Sequence, residues 1–361
     1  MRSLFYHTAP HWSGSARALA AAARGIAGAG DPVVAMCVAG SSVERGFQRA
    51  GLDIIAAEPG VSTAEAWRLR KVLKEKFTEV VFVNTEREHA VAASAMRLAE
   101  RGVVIRRIGA GESLGAGRSA KLAQKSAASR LMFTTDGDRA RAGLADSARV
   151  APLGVDPSQA ADAREKARAT LGVADSTKLI ICVIDDHSGA RVTTVLRTLA
   201  LLAERHASLR VAMVGRSADE DDIRMHAAAL GVSTLVRLLG ARDDMPGILA
   251  AADVGWVATE GDEGAYACLD FMSARVPVVA ERSPLLAHYV PDGIAGVHLP
   301  PSDPADTASA VARFLANENQ RAAMGSAGRA RVMREFTETA MVEGFRAAAA
   351  AVGDRSAWVS R

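Results

Sequence analysis

The sequence has few aromatic residues, few cysteines and no long apolar segment. Phe, Trp and Tyr make up 4% of the 361 residues. The three cysteines, Cys37, Cys182 and Cys268, lie far apart in apolar contexts, which indicates buried thiols rather than disulfides or metal ligands. No run reaches the roughly 20 apolar residues that span a bilayer, and the first residues lack the pattern of a signal peptide. We therefore expect a cytoplasmic protein.

The charge balance is small and slightly positive. The formal net charge is +3, and the basic residues are spread along the chain without a basic block that contains aromatic residues. This distribution argues against a nucleic-acid-binding protein. A mildly basic surface suits phosphorylated ligands or the inner face of an anionic membrane, and a plain solvated surface is the alternative.

Short apolar runs alternate with alanine-rich helical segments, which is typical of parallel sheets covered by helices. The predicted helices are Ala16–Ala29, Thr63–Lys76, Glu88–Arg101, Ala160–Leu171, Val192–His206, Asp219–Leu230 and Met245–Ala252, with a further helix that contains Asp270 and an almost entirely helical segment from Asp303 onward. The predicted strands are Ser3–Tyr6, Val33–Val38, Ile54–Ala57, Val80–Val83, Val103–Arg106, Leu131–Thr134, Arg149–Pro152, Leu179–Ile184, Leu209–Val214, Val236–Leu239, Val254–Ala258, Val278–Ala280 and Gly296–Leu299.

This alternation stops and restarts once, so the pattern predicts two doubly wound, Rossmann-like α/β domains. We place the first at residues 1–157, joined by a returning carboxyl-terminal helix at about 337–361, and the second at 158–336. Ligands bind open α/β sheets at the carboxyl ends of the strands. We therefore expect the two domains to face each other across a ligand-binding cleft.

Several motifs occur in a familiar order. They are "HWSGSARAL" near the start, "ARVAPLGVDPS" after residue 147, "LVRLLGARDDMPGILAAADVGWVAT", "GDEGAYACLDFMSARVPVV" and the closing "PDGIAGVHLPPSDPADTASAVARFLANENQRAAMGSAGRARVMREF". Together they resemble the retaining GT-B glycosyltransferases of family 4. The resemblance is densest over Val236–Phe336 and implies the GT-B fold and a nucleotide-sugar donor bound by the second domain.

The resemblance assigns roles to two acids. Asp262 takes the place of the catalytic acid that faces the donor sugar, and Asp270 that of the acid that holds the ribose, each shortened from the family's Glu. Tyr266 lies between them among the donor-binding positions. The alternative for Asp262 is a helix cap, and Glu260 and Glu263 are nearby substitutes.

A glycosyltransferase of this kind is also expected to bind the donor phosphates through backbone amides at helix starts, where the N–H groups and the helix dipole favour an anion. Gly264–Ala265, read as a turn before the helix of Asp270, and Gly14–Ser15, read as a turn before the first helix, are the candidates. Ordinary strand-to-helix turns are the alternative.

The diphosphate needs positive charge, and here the chain departs from the family. Ile184 and Asp185 replace the usual Gly-Arg, and Asp186 adds a second acid that repels phosphate. Stabilisation of the leaving group is left to Arg191, to Arg216 or to a residue that the sequence pattern does not identify.

In the first domain, "VVIRRIGAGES" replaces the His that many relatives carry after this strand. Arg106 and Arg107 suit a phosphate or an acidic acceptor, and a solvated glycine loop is the alternative. His7 and His11 lie near the first strand end, where a lone His is more often structural. The spacing of the remaining histidines implies no metal.

The sequence therefore predicts a retaining glycosyltransferase that transfers a sugar from a nucleotide sugar to a glycan, lipid-linked or small-molecule acceptor. We expect no cofactor beyond the donor, with peripheral membrane association and oligomer formation as further candidates. The alternative is a catalytically degenerate GT-B protein that acts as a binding or scaffold subunit.

Overall fold

The structure, a computed structural model, describes residues 1–144, 148–160, 163–185, 188–204, 206, 208–216, 220–242, 244–299 and 303–351. The chain divides into two compact units. The first comprises Met1–Gly154 and the segment from Glu338, and the second comprises Val155–Thr337. Asp186 and residues 352–361, which fall within the predictions above, lie outside the described residues.

The first unit contains a parallel sheet whose described strands follow the order β3-β2-β1-β4-β5-β6-β7. Hydrophobic side chains fill β1 and β4 because both faces of this sheet are covered by helices. The strands are β1 Ser3–His7, β2 Val33–Val38, β3 Asp53–Ala57, β4 Val80–Val83, β5 Val103–Ile108, β6 Ser129–Phe133 and β7 Arg149–Val150. The helices of this part are α1 Gly14–Gly28, α2 Ser42–Arg49, α3 Ser62–Glu75, α4 Glu86–Ala99, α5 Arg118–Gln124 and α6 Asp136–Arg141.

The second unit repeats this architecture with the described strand order β10-β9-β8-β11-β12-β13, again parallel throughout. The strands are β8 Lys178–Val183, β9 Leu209–Val214, β10 Val236–Leu238, β11 Val254–Val257, β12 Val278–Glu281 and β13 Gly296–Leu299. The helices are α7 Arg164–Leu171, α8 Gly189–Ala203, α9 Glu220–Ala229, α10 Met245–Leu249, α11 Gly261–Ser273, α12 Pro284–Tyr289, α13 Pro304–Ala316 and α14 Glu318–Glu335, and a 3-10 turn at Pro157–Ala160 precedes them.

The last described helix, α15 at Glu338–Ala350, belongs to the first unit. It packs closely on α1, where Gly25 has no side chain and a Cβ there would lie 2.3 Å from Val342. Phe345 is fully buried, and its ring centroid is 5.2 Å from that of Phe82 and 6.4 Å from that of Phe5. The segment after residue 337 therefore completes the core of the first unit.

The predicted pair of parallel-sheet α/β domains is confirmed, and the differences concern short helices. Four helices of six to eight residues, α2, α5, α6 and α12, are absent from the sequence-based prediction. The predicted helix Ala160–Leu171 corresponds to α7, which begins at Arg164, and Ala160 is instead the last residue of the 3-10 turn.

The three cysteines are buried free thiols, as predicted. Burial raises the pKa of Cys37 to about 12 and raises the pKa of Cys182 and Cys268 further. The thiols are therefore protonated and unreactive at neutral pH. Over the described ranges, every helix is too short or too polar to cross a bilayer.

Candidate functional site

Each sheet has one place where the chain reverses its direction of winding. In the first unit it lies between β1 and β4, and in the second between β8 and β11. Loops leave such a switch point in opposite directions and open a crevice at the carboxyl ends of the strands. We therefore expect ligands to contact the residues that follow these four strands.

At the switch point of the second unit, Asp185 connects the ends of two strands. Its carboxylate accepts a hydrogen bond from the Thr259 hydroxyl, which follows β11, and another from the Ser188 hydroxyl at 2.8 Å. The Asp185 amide donates back to the Ser188 hydroxyl at 2.8 Å. Asp185 therefore fixes the start of α8.

Arg191, the cation predicted to meet the diphosphate, already holds two carboxylates. Its Nη2 donates to Glu260 at 2.5 Å and its Nε to Glu281 at 2.9 Å. The Arg191 side chain is 24% exposed, so this pairing takes place partly in solvent. Arg191 lies in the first turn of α8 beside the switch point, but its charge is balanced by glutamates that are distant in the sequence.

Helix α11 begins earlier than predicted, which corrects the assignment of Gly264 and Ala265. The helix starts at Gly261, whose φ of +62° suits glycine, and Glu260 is its N-cap residue. The Gly264 amide donates to the Glu260 carbonyl at 3.0 Å, so it is an ordinary helical amide and not part of a phosphate-binding turn. Glycine is needed at 264 because a Cβ would lie 2.5 Å from the Thr259 carbonyl oxygen.

Asp262 and Asp270 lie on the same helix in different environments. Asp262 is in the first turn of α11 and partly exposed, where an acid is stabilised by the helix dipole. It is not the N-cap residue, so the capping alternative does not hold. Asp270 is 2% exposed and Tyr266 is also 2% exposed. Eight residues separate the two acids, which is about 12 Å along a helix.

Arg216 follows β9 and is exposed. The preceding Gly215 has a φ of +130°, and a Cβ there would lie 1.9 Å from the Ile184 carbonyl oxygen. Glycine thus allows the ends of β8 and β9 to approach each other, which places Arg216 one strand away from the switch point.

The side chains around this switch point are mostly acidic. They are Asp185, Glu260, Asp262, Glu263 and Glu281, while Arg191, and Arg282 directly after Glu281, are basic. This excess of carboxylates disfavours a phosphate anion. The first turn of α8, Gly-Ala-Arg, contains no acid and offers backbone amides to a phosphate, but the Asp185 carboxylate lies against its N-cap residue Ser188.

In the first unit a carboxylate also bridges the two strands of the switch point. Glu88 accepts hydrogen bonds from the amides of Thr8, Asn84 and Thr85 at 2.6, 3.1 and 2.9 Å. It also lies 3.0 Å from Nδ1 of His7, and both side chains are buried. Burial raises the pKa of Glu88, but His7 and the backbone donors outweigh it and lower that pKa to about 2.

Arg106 and Arg107 are not on a solvated loop, which excludes that alternative. Strand β5 continues to Ile108, and the two arginines are 0% and 1% exposed. Nε of Arg106 donates to the Asn84 carbonyl at 3.1 Å, and Nη1 of Arg107 donates to the Asn84 side chain at 2.9 Å. Arg106 also pairs with Glu112. As they lie here, both guanidinium groups hold the ends of β4 and β5 together.

The remaining predicted residues of the first unit lie around the start of α1. The helix begins at Gly14, so Gly14 and Ser15 form its first turn rather than a turn before it. The Ser13 hydroxyl caps the helix by accepting the Ala16 amide at 3.3 Å. His11 is exposed nearby, whereas His7 is buried against Glu88.

Three residues of these sites are missing from the sequence-based prediction: Thr259, Glu281 and Glu88. Glu281 ends β12 and Thr259 follows β11, so a polar residue at the end of an apolar strand was the available signal. Glu88 stands three residues after Thr85, the spacing of a capping box, and it does form one.

Metal ligation finds no support in the side-chain positions. Within the ranges that the structure describes, no three His, Cys, Asp or Glu side chains come together in a way that could hold a metal ion.

Comparison with known proteins finds glycosyltransferases that are similar to this chain. The family model described as "Glycosyl transferases group 1" matches residues 163–331. The D-inositol 3-phosphate glycosyltransferase of Corynebacterium jeikeium is 30% identical over 192 residues, which cover 49% of this chain and 45% of the relative. The lipopolysaccharide core biosynthesis glycosyltransferase LpsE of Rhizobium meliloti is 26% identical over 133 residues, 37% of this chain and 39% of the relative. The chain thus spans less than half the length of these two curated relatives.

Solved structures match the whole fold. A glycosyltransferase from Rickettsia africae superposes with a TM-score of 0.83 at 14% identity and covers 98% of this chain and 99% of its own. The Anabaena protein Alr3699/HepE, solved in complex with UDP and glucose, gives a TM-score of 0.82 at 16% identity and covers 96% and 98%. At such low identities the likeness concerns the fold, which is the GT-B fold.

Proposed function

We propose that this chain, whose residues 163–331 match the family model of the glycosyl transferases group 1, transfers a sugar from a nucleotide-sugar donor to an acceptor with retention of configuration. The observation that carries the proposal is the crevice between β8 and β11. There Asp185, Thr259 and Arg191 connect the strand ends to the acidic start of α11. The acceptor is a glycan, a lipid-linked sugar or a small molecule, in keeping with the names of the relatives.

In the proposed reaction, the bond between the anomeric carbon and the diphosphate breaks while the acceptor oxygen bonds to the same carbon. The acceptor proton leaves with the diphosphate. The start of α8 holds the diphosphate through backbone amides, with Arg191 as its cation. Asp262, partly exposed on the first turn of α11, accepts hydrogen bonds from the donor hydroxyls. Asp270, deeper in the same helix, is the proposed ribose ligand.

One observation favours a second candidate, the degenerate binding or scaffold protein. The guanidinium of Arg191 is shared between Glu260 and Glu281, and Asp185 stands where the family resemblance leads us to expect a cation. Leaving-group stabilisation is a large part of catalysis in such sites. A chain that has lost it would keep the fold and bind partners without turnover.

The deciding experiment measures donor binding and turnover separately. We expect purified full chain to bind at least one donor from a panel of UDP-, GDP- and TDP-sugars, and to hydrolyse or transfer it when acceptors are present. Asp262→Asn should lower kcat by tenfold or more with little change in unfolding temperature, because it removes the charge near the sugar but keeps the shape. Asp306→Asn, an acid in the first turn of α13, is the matched control.

The result separates the two candidates. Binding without turnover, unaffected by Asp262→Asn, supports the scaffold candidate, and absence of binding at millimolar donor contradicts the transferase. The reaction as proposed uses no metal cofactor, so turnover should persist in EDTA. Turnover that requires Mg²⁺ would indicate that a cation must offset the carboxylates around Arg191.

A further inference from the structure

The first unit has a depression on its helical side, between α3, α4 and the start of α5. Its volume is about 520 Å³, which is within the range of sites that hold small ligands. It is lined by helix residues and not by the residues that follow β1 and β4, so it is separate from the switch point. We call it the α3–α4 groove, defined by Thr63, Trp67, Arg87, Ser94, Arg97 and Ser119.

The groove is concave because large and small side chains lie next to each other. Helix α4 contributes Ala90 and Ser94, which are four residues apart and therefore lie on one face of the helix. Helix α3 contributes the much larger Trp67. A ligand in the groove can therefore contact the protein on more than one side.

Trp67 is 56% exposed, although it is a large apolar side chain. The Arg70 guanidinium lies over its ring, 5.0 Å from the centroid, and Nε of Arg70 donates to the Leu98 carbonyl at 3.0 Å. Because Arg70 is bound to α4, it holds the tryptophan ring in place beside the groove. A ring that is already fixed loses little side-chain entropy when a ligand packs on it. The C–H face of a sugar ring is a suitable partner for such an aromatic surface.

Hydroxyl groups line much of the remaining surface of the groove. They belong to Ser62, Thr63, Ser94 and Ser119. Within the part of the chain that the structure describes, these four hydroxyls form no hydrogen bonds to other residues. They can therefore donate to and accept from the hydroxyls of a sugar.

The groove has one positive charge that the protein does not balance. Arg87, at one end, donates to both carboxylate oxygens of Glu65. Glu86, at the same end, lies 3.9 Å from Arg106. Arg97, at the other end, is exposed, and over the described ranges its guanidinium forms no ion pair. A free guanidinium binds a carboxylate through two parallel hydrogen bonds.

We propose that the α3–α4 groove binds a short acidic oligosaccharide. One sugar ring packs on Trp67, sugar hydroxyls bond to the serine and threonine hydroxyls, and a carboxylate binds Arg97. Glu86 and Arg97 are eleven positions apart on α4, about 17 Å along the helix, which suits several linked sugar units. A single unbalanced cation is too few for a polyanion such as a nucleic acid, whose binding depends on many phosphate contacts.

One end of the groove adjoins the edge at which the first unit is expected to bind ligands. Helices α3 and α4 begin at Ser62 and Glu86, shortly after the carboxyl ends of β3 and β4. The role of the groove rests on the proposed function: it holds units of a glycan acceptor that are distant from the unit that reacts. Binding itself requires neither donor nor turnover.

The test measures binding of oligosaccharides to the full chain in the absence of donor. Isothermal titration calorimetry compares a hyaluronan tetrasaccharide, which contains glucuronate, with chitotetraose, a neutral chain of the same length, and with free glucuronate. We expect the hyaluronan tetrasaccharide to bind with a Kd of about a millimolar or below, and the other two at least tenfold more weakly. Equal affinity for free glucuronate would make a small metabolite the ligand and overturn the proposal.

Three variants connect this binding to the groove. Trp67→Ala should weaken binding of the hyaluronan tetrasaccharide at least tenfold, because it removes the ring on which the sugar packs. Arg97→Gln should remove the preference for hyaluronan over chitotetraose, which a purely structural role of Arg97 would not do. Ser94→Trp should abolish binding, because the larger side chain fills the groove.

Matched controls remove similar side chains elsewhere. Phe77→Ala changes another aromatic residue that is 56% exposed, and Arg197→Gln changes an exposed arginine of α8. Both should leave the affinity within twofold, and unfolding temperatures exclude misfolding in all variants. No binding of the hyaluronan tetrasaccharide at millimolar concentration, or unchanged binding by Trp67→Ala and Ser94→Trp, would overturn the proposal.

A separate titration with UDP distinguishes this proposal from the proposed transferase function. A chain that binds the oligosaccharide but no nucleotide would contradict the transferase and support the groove. A chain that binds UDP but no oligosaccharide would contradict the groove alone.

Discussion

Arg191 supplies positive charge at the switch point of the second unit, but its guanidinium group already forms ion pairs with two glutamates. Its bonds to Glu260 and Glu281 connect the starts of α8 and α11 with the end of β12. Because the Glu260 side chain is 53% exposed and that of Glu281 is 25% exposed, such pairs contribute at most about 1 kcal/mol each to stability. Their effect on an incoming anion is larger, since they remove the charge that a diphosphate would use.

Neutralising these glutamates should therefore strengthen nucleotide binding. We expect Glu260→Gln/Glu281→Gln to lower the Kd for UDP or pyrophosphate by about threefold to tenfold, which corresponds to roughly 0.7 to 1.4 kcal/mol. Isothermal titration calorimetry at two salt concentrations measures the change. Glu220→Gln, which removes a similar partner from Arg224 on α9, is the control and should have no effect.

Unchanged or weaker binding in the double variant would contradict the assignment of Arg191 to the diphosphate. The phosphate would then have to bind through Arg216 or through the backbone at the start of α8 alone. An Arg191→Ala variant distinguishes these outcomes, because it should lose affinity only if the guanidinium reaches the ligand.

At the scale of elements, Gly264 of helix α11 has a different role from the one predicted: it allows close packing and does not form a phosphate-binding turn. A glycine near the start of this helix is typical of a phosphate-binding turn, yet Gly264 lies within the helix. Its missing side chain lets the helix approach the Thr259 carbonyl, and Thr259 in turn donates to Asp185. The glycine therefore positions the strand end that forms the crevice.

Gly264→Ala should consequently destabilise the protein even though alanine favours helices. The added Cβ meets a backbone oxygen at 2.5 Å, and such overpacking costs about 1 to 3 kcal/mol. Gly247→Ala in α10, where a Cβ meets nothing within 4 Å, should be neutral or stabilising by up to about 1 kcal/mol. Urea denaturation of both variants measures the difference. Equal stability would show that Thr259 moves aside at no cost.

The strands and long helices can be predicted from sequence because their patterns are local. Buried strands such as β4 and β8 are short apolar runs, and α1 and α8 repeat apolar residues over four turns. The short helices α2, α5, α6 and α12 escape prediction because six to eight residues give too few turns for a period to emerge. The starts of α1, α4 and α8 likewise lie two or three residues before their predicted positions, because the N-cap residues Ser13, Thr85 and Ser188 are not recognised.

The candidate site is predictable in part for the same reason. Strand ends and helix starts are local features, so Asp185, Arg191 and Asp262 could be placed near a ligand-binding edge. Their partners could not, because Arg191 meets glutamates 69 and 90 positions away. Glu88 reaches Thr8 across 80 positions. Whether a charge is available to a ligand depends on such distant pairs, and these arise only when the sheet is assembled.

At the scale of the whole molecule, each unit has its own hydrophobic core, and the core of the first unit includes side chains of helix α15. The core of the second unit is built from residues between Ile180 and Met324. In the first unit, Phe345 of α15 packs on Phe82, more than 260 positions earlier in the sequence. The chain therefore completes its first unit only after the second has been made.

Removing this ring should weaken the first unit selectively. We expect Phe345→Ala to cost about 3 to 5 kcal/mol, the usual loss for a buried Phe, and to reduce amide hydrogen-exchange protection in β1 and β4. Phe271→Ala, a fully buried Phe on α11 that faces Gly255 of β11, is the matched change in the second unit. It should reduce protection in β8 and β11 instead. If Phe345→Ala lowered protection in β8 and β11 as strongly as in β1 and β4, the two cores would unfold as one, and the carboxyl-terminal helix would stabilise the whole chain rather than the first unit.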